Sequence, residues 1–254
     1  MSDPEAVIDR VWPDPESDLD DATLLELASF PSDRTWLRMN FISSLDGAAT
    51  REGRSGELGD PADRRLFELL RRPADAVLLG AGTARIEGYG AMRLADDALA
   101  WRTAAGLAPQ PAFALVSRSL DLDPSSPIFA EAPVRPIVYT VASAPVERRA
   151  ELSRVADVVD AGEEDADGMR IRQDMTDRGL RRIHSEGGPH LFGAMLAAGA
   201  VDALHLTLAP SLEVGRAGRI ARPVLTEAPS VPARARLSSV LRSGDELLLH
   251  YRLS

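Results

Sequence analysis

Two stretches of the sequence combine glycines with polar side chains in a spacing that fits phosphate binding. In residues 74–90, ADAVLLGAGTARIEGYG, an apolar run predicts a buried strand ending at Gly80-Ala81-Gly82, with Thr83 as the cap of a following helix. Glycine lets a ligand approach the backbone, and free amides at a helix start attract phosphate. The alternative is that the glycines only close a tight turn, because short glycine patterns often match by chance.

A second stretch repeats this arrangement. Residues 181–193, RRIHSEGGPHLFG, predict a strand over 182–185, then Gly187 and Gly188, then a helix with Pro189 at its first position. Two such junctions can direct two helix starts at one dinucleotide pyrophosphate, although neither is the G-x-G-x-x-G fingerprint. Glu186 precedes the glycines at a strand end, where ligand-facing groups of α/β sheets project.

The sequence lacks the residues that a metal site or a serine nucleophile requires. The chain has no cysteine, and its four histidines show neither i, i+4 pairing nor an H-E-x-x-H motif, so the sequence predicts no metal site. It also has no G-x-S-x-G nucleophile motif. Glu87 and Glu186 are the acids nearest the glycine junctions, a pattern that suits a nicotinamide enzyme, whose cofactor carries the difficult chemistry.

Composition limits the class of protein. With 254 residues, 44% hydrophobic and 27% charged, the chain is long enough for a substantial core. Its net charge of −10 argues against nucleic-acid or anionic-membrane partners. The acidic N-terminus resembles no signal peptide, so we expect a cytoplasmic protein.

The elements that must position these residues alternate between strand and helix. We expect an N-terminal arm over 1–33 with a helix at 21–29 capped by Asp20 or Asp21, and one domain over 34–254. Strands are predicted at 36–43, 112–116, 136–140, 156–159 and 202–209, and helices at 60–71, 96–106 and 165–178. Residues 236–241 and 246–253 flank a turn at Ser243-Gly244-Asp245 and predict a hairpin. The fold class is therefore α/β, with a mixed, mostly parallel sheet, helices on both faces and a C-terminal antiparallel hairpin.

Four motifs together resemble the pyrimidine reductases of riboflavin biosynthesis, the C-terminal half of the bifunctional deaminase-reductase. They are NFISSLDG (40–47), ADAVLLGAGTAR (74–85), SEGGPHLFGAML (185–196) and VDALHLTLAP (201–210). The resemblance implies a dihydrofolate-reductase-like fold, NADPH as cofactor, a homodimer, and reduction of 5-amino-6-(5-phosphoribosylamino)uracil to its ribityl form. We expect a stand-alone reductase, since a chain without cysteine cannot build the deaminase zinc site.

The resemblance also implies roles for individual residues. Those matching the cofactor site are Gly80, Gly82, Thr83, Ser117, Arg118, Gly187, Gly188, Leu191 and Gly193, with Arg118 near a 2′-phosphate. Those matching the substrate site are Ser55, Arg71, Arg93 and Glu186, with Arg93 close to the arginine that holds the ribose phosphate.

Two positions depart from the family pattern. The family usually has Lys where this chain has Asn40, and Asp-Asp-Pro where it has Glu87-Gly88-Tyr89. Because both positions approach the reacting sugar in the family, Asn40 and Glu87 are the candidate catalytic residues. The same two departures leave open whether the substrate is that of the family. A pterin- or folate-type reductase on the same fold and a non-catalytic NADP-binding protein remain alternatives.

Overall fold

A computed structural model describes residues 6–215, 217–223 and 233–253. The strands in these residues are β1 (Asp9–Trp12), β2 (Trp36–Ser44), β3 (Ala76–Gly80), β4 (Ala112–Val116), β5 (Ile137–Thr140), β6 (Asp157–Asp160), β7 (Arg182–Ser185), β8 (Ala203–Ala209), β9 (Ala235–Ser243) and β10 (Glu246–Leu253). The helices are α1 (Asp21–Leu27), α2 (Pro61–Arg71), α3 (Ala81–Glu87), α4 (Asp96–Ala104), α5 (Pro127–Ala130), α6 (Val146–Leu152), α7 (Gly168–Asp177) and α8 (Pro189–Ala197).

The strands form one sheet in the order β1-β9-β10-β8-β2-β7-β3-β4-β5-β6. Neighbours from β8 to β6 are parallel, whereas β10 is antiparallel to β8 and β9, and β9 is antiparallel to β1. This confirms the mixed, mostly parallel sheet with a C-terminal hairpin. The parallel strands aim their carboxyl ends at a common edge, where ligands of α/β sheets bind.

Helices cover both faces of the parallel region. On β3, Ala76 and Leu78 belong to a buried cluster with α7 and α8, whereas Val77 and Leu79 belong to a cluster with α3, α5 and α6. A strand that is buried on both faces has consecutive apolar residues, which is why β3 could be predicted from the sequence. Neither α5 nor α6 was predicted from the sequence.

The segment expected to be an arm contributes to the sheet and to a third core cluster. Its strand β1 was not predicted, and it pairs with β9 at the sheet edge. Ile8 and Leu19 are buried with residues of α1, α2 and the hairpin. Asp20 caps α1 by accepting a hydrogen bond from the Thr23 amide at 2.8 Å, as predicted. Among the described residues, no helix is long and apolar enough to cross a membrane.

Candidate functional site

The two glycine junctions lie side by side, because β3 and β7 are paired neighbours in the sheet. The Gly80 amide donates to the Gly187 carbonyl at 2.8 Å. Gly188 is the N-cap of α8, with Pro189 in the first turn as predicted, and no side chain accepts from the amides of that turn. The sequence prediction that two strand-to-helix junctions meet at one place is confirmed.

The prediction that Thr83 caps α3 is wrong. The helix begins at Ala81 with Gly80 as its N-cap, so Thr83 is its third residue. Its side chain instead covers Gly188, where a Cβ atom would stand 2.1 Å from Thr83 Oγ1. Gly187 has φ +91°, and a Cβ there would meet the Phe41 ring at 2.7 Å. Both glycines are therefore required by the close packing of the junctions.

A cavity of about 1380 Å³ opens along this edge of the sheet. The sequence-predicted residues that line it are Asn40, Ser55, Arg71, Gly80, Gly82, Thr83, Glu87, Arg118, Glu186, Gly188 and Leu191. Its size exceeds what a small ligand needs, so it has room for a dinucleotide and a second molecule.

Glu186 is a buried carboxylate of the cavity wall that accepts hydrogen bonds from Arg71 and Tyr89. Its side chain is 1% exposed and forms a bidentate ion pair with Arg71, whose Nη2 donates to Oε2 at 2.8 Å. Tyr89 Oη also donates to Oε2 at 2.8 Å. Burial opposes the charge on Arg71, but the carboxylate of Glu186 outweighs it and raises the pKa of Arg71. Burial, with Glu186 as the next cause, raises the pKa of Tyr89 well above its usual value, so its phenol remains a donor.

Glu87 and Ser55 form a second polar pair in the wall. Glu87 Oε1 accepts from the Ser55 amide at 2.8 Å and from its hydroxyl at 2.9 Å. Glu87 ends α3, while Ser55 belongs to the loop between β2 and α2. The pair joins that loop to α3 and leaves Glu87 Oε2 without a bond to a described residue.

The sequence model of the RibD C-terminal domain family matches residues 35–249. The chain belongs to the RibD C-terminal domain family. It is 31% identical over 189 residues, 73% of this chain and 82% of the relative, to the 2,5-diamino-6-ribosylamino-4(3H)-pyrimidinone 5′-phosphate reductase of Methanothermobacter thermautotrophicus. It is 29% identical to the riboflavin biosynthesis protein RibD of Mycobacterium tuberculosis, matching 85% of this chain but 52% of that protein.

Solved structures show the same fold. A pyrimidine reductase-like protein from Corynebacterium diphtheriae superposes with a TM-score of 0.78 at 30% identity, over 87% of this chain and 92% of that one. The reductase of riboflavin biosynthesis from Saccharomyces cerevisiae, at 15% identity, superposes with a TM-score of 0.65 over 92% of this chain and 100% of that one. The fold is that of the RibD reductase domains, which is dihydrofolate-reductase-like, as the sequence motifs implied.

Four of the residues assigned from the family motifs lie outside the cavity wall. Arg93 is exposed and donates to the Glu131 carbonyl at 2.5 Å. Ser117 is buried, and its amide donates to the Tyr139 carbonyl at 2.9 Å. Gly193 packs against the backbone of the loop after β8, where a Cβ would stand 1.7 Å from the Arg222 carbonyl oxygen. Gly187 is covered by Phe41, as described above.

Arg118 lies at the cavity but is already paired. Its Nη1 donates at 2.7 Å to Oδ1 of Asp165, which lies in the loop that precedes α7. Both side chains line the cavity. An anion that binds Arg118 therefore lies close to the carboxylate of Asp165, which repels it.

Sequence reasoning missed several polar residues of the wall, among them Asp63 and Tyr89. Asp63 accepts from Thr207 Oγ1 at 2.6 Å, and burial raises its pKa although that hydrogen bond acts in the opposite direction. Tyr89 was noted only as a departure from the family pattern. Asp63 could have been found from its place in the first turn of α2, next to the cap Asp60. Among the described residues, no group of three or more His, Cys, Asp and Glu side chains is arranged to hold a metal ion.

Proposed function

We propose that this protein is an NADPH-dependent reductase that transfers hydride to the ribosyl C1′ of a ribosylaminopyrimidine 5′-phosphate in riboflavin biosynthesis. The observation that carries the proposal is the Arg71–Glu186–Tyr89 group in the same cavity wall as the start of α8. A protein that only binds a nucleotide has no need for a buried, ion-paired carboxylate beside the glycine junction. The names of the reductase relatives support the same reductase function.

The residues of the wall fit a nicotinamide dinucleotide. The first-turn amides of α8 have no side-chain acceptor, and a Cβ at Gly82 would meet nothing within 4 Å, so the backbone is open to a pyrophosphate. Gly80, Gly82, Thr83, Gly188 and Leu191 would hold the cofactor, with Arg118 at its 2′-phosphate. Bound there, NADPH would supply a hydride.

The substrate side must open the sugar ring before reduction. When the C1′–O4′ bond breaks, the lone pair of the amine nitrogen on C1′ forms a C1′=N bond, and O4′ takes up a proton. The product is a protonated imine, which hydride addition at C1′ converts to the ribityl amine, so the site needs an acid for O4′. Glu87 Oε2 has no bond to a described residue, and Glu87 is our candidate for that acid; Asn40 of β2 lines the same cavity as a neutral hydrogen-bonding group. Glu186, held by Arg71, would accept hydrogen bonds from the pyrimidine.

A turnover assay tests the proposal. Purified protein is mixed with NADPH or NADH and with the 2,5-diaminopyrimidinone substrate, the 5-aminouracil substrate, or dihydrofolate, and cofactor oxidation is followed. We expect oxidation with at least one ribosylaminopyrimidine, faster with NADPH, and a loss of about 100-fold in kcat/KM for Glu186→Gln. Turnover of dihydrofolate without turnover of either ribosylaminopyrimidine would show that the proposed substrate is wrong. Cofactor binding without turnover of any of the three substrates would refute a catalytic role.

We also propose that the protein is a homodimer. On β8 and β10, Leu206, Leu208, Leu247 and Leu249 point to the sheet face opposite Thr207 and Leu248 and remain half-exposed. A second copy would bury this apolar face through a two-fold axis. Sedimentation should show a dimer for the wild type and a monomer for Leu206→Glu; a monomeric wild type at micromolar concentration would refute the assignment.

A further inference from the structure

Arg38 of β2 is a buried cation, 2% exposed, that forms no ion pair with a described carboxylate. Its Nη2 donates to the Leu70 carbonyl at 2.5 Å, and its Nη1 donates to the Ala28 carbonyl. Ala28 is the C-cap of α1, and Leu70 lies in the last turn of α2. Carbonyls at helix C-termini carry the negative end of the helix dipole, so the two helix ends stabilise the cation in place of an acid.

The third nitrogen of the same guanidinium is directed to the neighbouring strand. Arg38 and His184 are register partners on β2 and β7, and Arg38 Nε donates to His184 Nδ1 at 3.3 Å. Burial, and then the charges of Arg38 and Arg71, hold the pKa of His184 well below its usual value, so the ring is neutral. Because Nδ1 accepts a hydrogen bond, the single ring proton must be on Nε2.

The nitrogen that carries this proton lies next to the carboxylate of Glu186. His184 Nε2 lies 3.6 Å from Glu186 Oε1, and it has no other partner among the described residues. Glu186 Oε1 is also the oxygen that Arg71 Nε contacts at 2.5 Å. The buried N–H is therefore adjacent to the anion that the cavity presents, just beyond hydrogen-bond distance.

Arg38 is thus connected, through one intervening group each, to both members of the Arg71–Glu186 ion pair. Through the Leu70 carbonyl it holds the end of α2, one residue before Arg71. Through His184 it fixes the tautomer of the ring behind Glu186. A histidine that only filled space would need neither a cation at Nδ1 nor a carboxylate next to Nε2, and an apolar side chain would fill this buried position at lower cost.

We propose that His184, oriented by Arg38, is a positioning residue that holds the Glu186 carboxylate towards Arg71 and the substrate. Nothing in this role requires His184 to contact the substrate or to exchange its proton. The proposal rests on the proposed function insofar as Glu186 binds the pyrimidine.

Two variants at position 184 separate positioning from packing. His184→Phe keeps a ring but removes both nitrogens, whereas the amide of His184→Gln can accept from Arg38 and donate to Glu186. We expect His184→Phe to raise the KM for the ribosylaminopyrimidine about tenfold and the KM for the cofactor by less than about twofold. His184→Gln should return the pyrimidine KM to within about threefold of wild type. Equal changes in both KM values, or no change in either, would overturn the proposal.

A matched control removes a buried hydrogen bond elsewhere. Tyr139 of β5 is fully buried, donates to Asp174 Oδ2 at 2.7 Å and lies outside the cavity wall. Tyr139→Phe should lower the melting temperature while leaving both KM values unchanged, which measures what a loss of buried bonding alone does.

A measurement on the resting wild type keeps the proposal testable if His184→Phe does not fold. Long-range ¹H–¹⁵N spectra of ¹⁵N-histidine protein at pH 7 report the tautomer of each ring. We expect His184 to be neutral with an unprotonated Nδ1, and Arg38→Met to abolish that preference. A charged or Nδ1-protonated His184 would refute the proposal. Because this readout needs no substrate, it can fail or succeed independently of the proposed reductase activity, which the wild-type turnover assay decides.

Discussion

Thr83 Oγ1 stands 2.1 Å from the point that a Cβ atom on Gly188 would occupy. The contact places the first turn of α3 directly on the N-cap of α8, and it gives Gly188 a packing role independent of any ligand. A side chain at this position must either displace Thr83 or separate the two junctions.

Gly188→Ala should therefore destabilise the fold, and the loss should depend on Thr83. We expect a decrease of about 1–3 kcal/mol in the free energy of unfolding, because overpacking shifts the surrounding structure. Thr83→Ala removes the clashing oxygen, so the double variant should recover most of the loss. Denaturant unfolding of the four proteins in this cycle measures the coupling. Additive effects would show that the two side chains do not compete for the same space.

The bond between Glu87 and Ser55 leads to a prediction about the acid. If Glu87 supplies the proton for ring opening, Glu87→Gln should lower kcat by about 100-fold, in the range of general acid catalysis. Ser55→Ala removes one of the two hydrogen bonds to Oε1 and leaves the bond from the amide of residue 55, so it should lower kcat less than Glu87→Gln does.

Steady-state kinetics from pH 5 to 9 check this pair of variants. Full kcat for Glu87→Gln at every pH would exclude Glu87 as the proton donor. Asp63 would then be the next acid to test, since burial raises its pKa and it lines the same cavity.

The position of Arg93 changes the expectation for the substrate phosphate. Arg54 and Arg64 line the cavity and are exposed, whereas Arg93 is outside its wall. We expect Arg54→Ala or Arg64→Ala to raise the KM for the phosphorylated substrate about tenfold, more at low salt than at high salt. Arg93→Ala is the matched control with the same loss of charge. If Arg93→Ala alone raises this KM, the family assignment holds and the assignment from the cavity is wrong.

If Arg118 binds the 2′-phosphate as proposed, Asp165 should weaken the preference for NADPH over NADH. The carboxylate of Asp165 forms an ion pair with the Arg118 guanidinium at 2.7 Å and repels a second anion there. Asp165→Asn should therefore tighten binding of 2′-phospho-ADP-ribose by about threefold to tenfold and leave ADP-ribose nearly unchanged. Arg118→Ala should reduce the difference between the two ligands. Calorimetric titration measures both affinities, and equal gains for both ligands would show that Asp165 acts on something other than the 2′-phosphate.

Much of this fold follows from local patterns, because the central strands and the glycine junctions are encoded in adjacent residues. β4 and β7 were predicted with their observed bounds, and Pro189 marked the start of α8. By contrast, β1 has four residues of mixed polarity and becomes a strand only because β9 pairs with it. The helix α6, VERRAEL, is too polar and short to show a stripe.

The same distinction applies to the site. Glu186, Arg71 and Ser55 were assigned from motifs and line the cavity, but their partners come from distant parts of the chain. The sequence separation between Arg38 and His184 is 146 residues, and no local signal connects them. Similarly, Arg93 has the expected residue type, but its position is decided by the path of the chain between α3 and α4.

Glu246, at the start of β10, predicts how stability depends on pH. It is 1% exposed, and neither carboxylate oxygen has a donor among the described residues. Burial, together with the nearby Asp60 and Asp63, raises its pKa from 4.5 to about 9. A raised pKa means that the folded protein retains a proton that the unfolded chain releases, so the stabilisation is complete below pH 4.5 and is lost as the pH rises towards 9.

The window from pH 7 to 9 isolates this effect, because the buried histidines have lowered pKa values and are already neutral there. At a fixed protein concentration, the free energy of unfolding should fall by about 1 kcal/mol per pH unit in this window. Glu246→Gln cannot ionise and can donate to Asp60, so it should remove most of that slope and stabilise the protein at pH 8 by about 1–2 kcal/mol. Glu68→Gln, an exposed change on α2, is the control that should leave the slope as it is. A wild type whose stability is flat from pH 7 to 9 would show that Glu246 does not retain its proton in the folded protein.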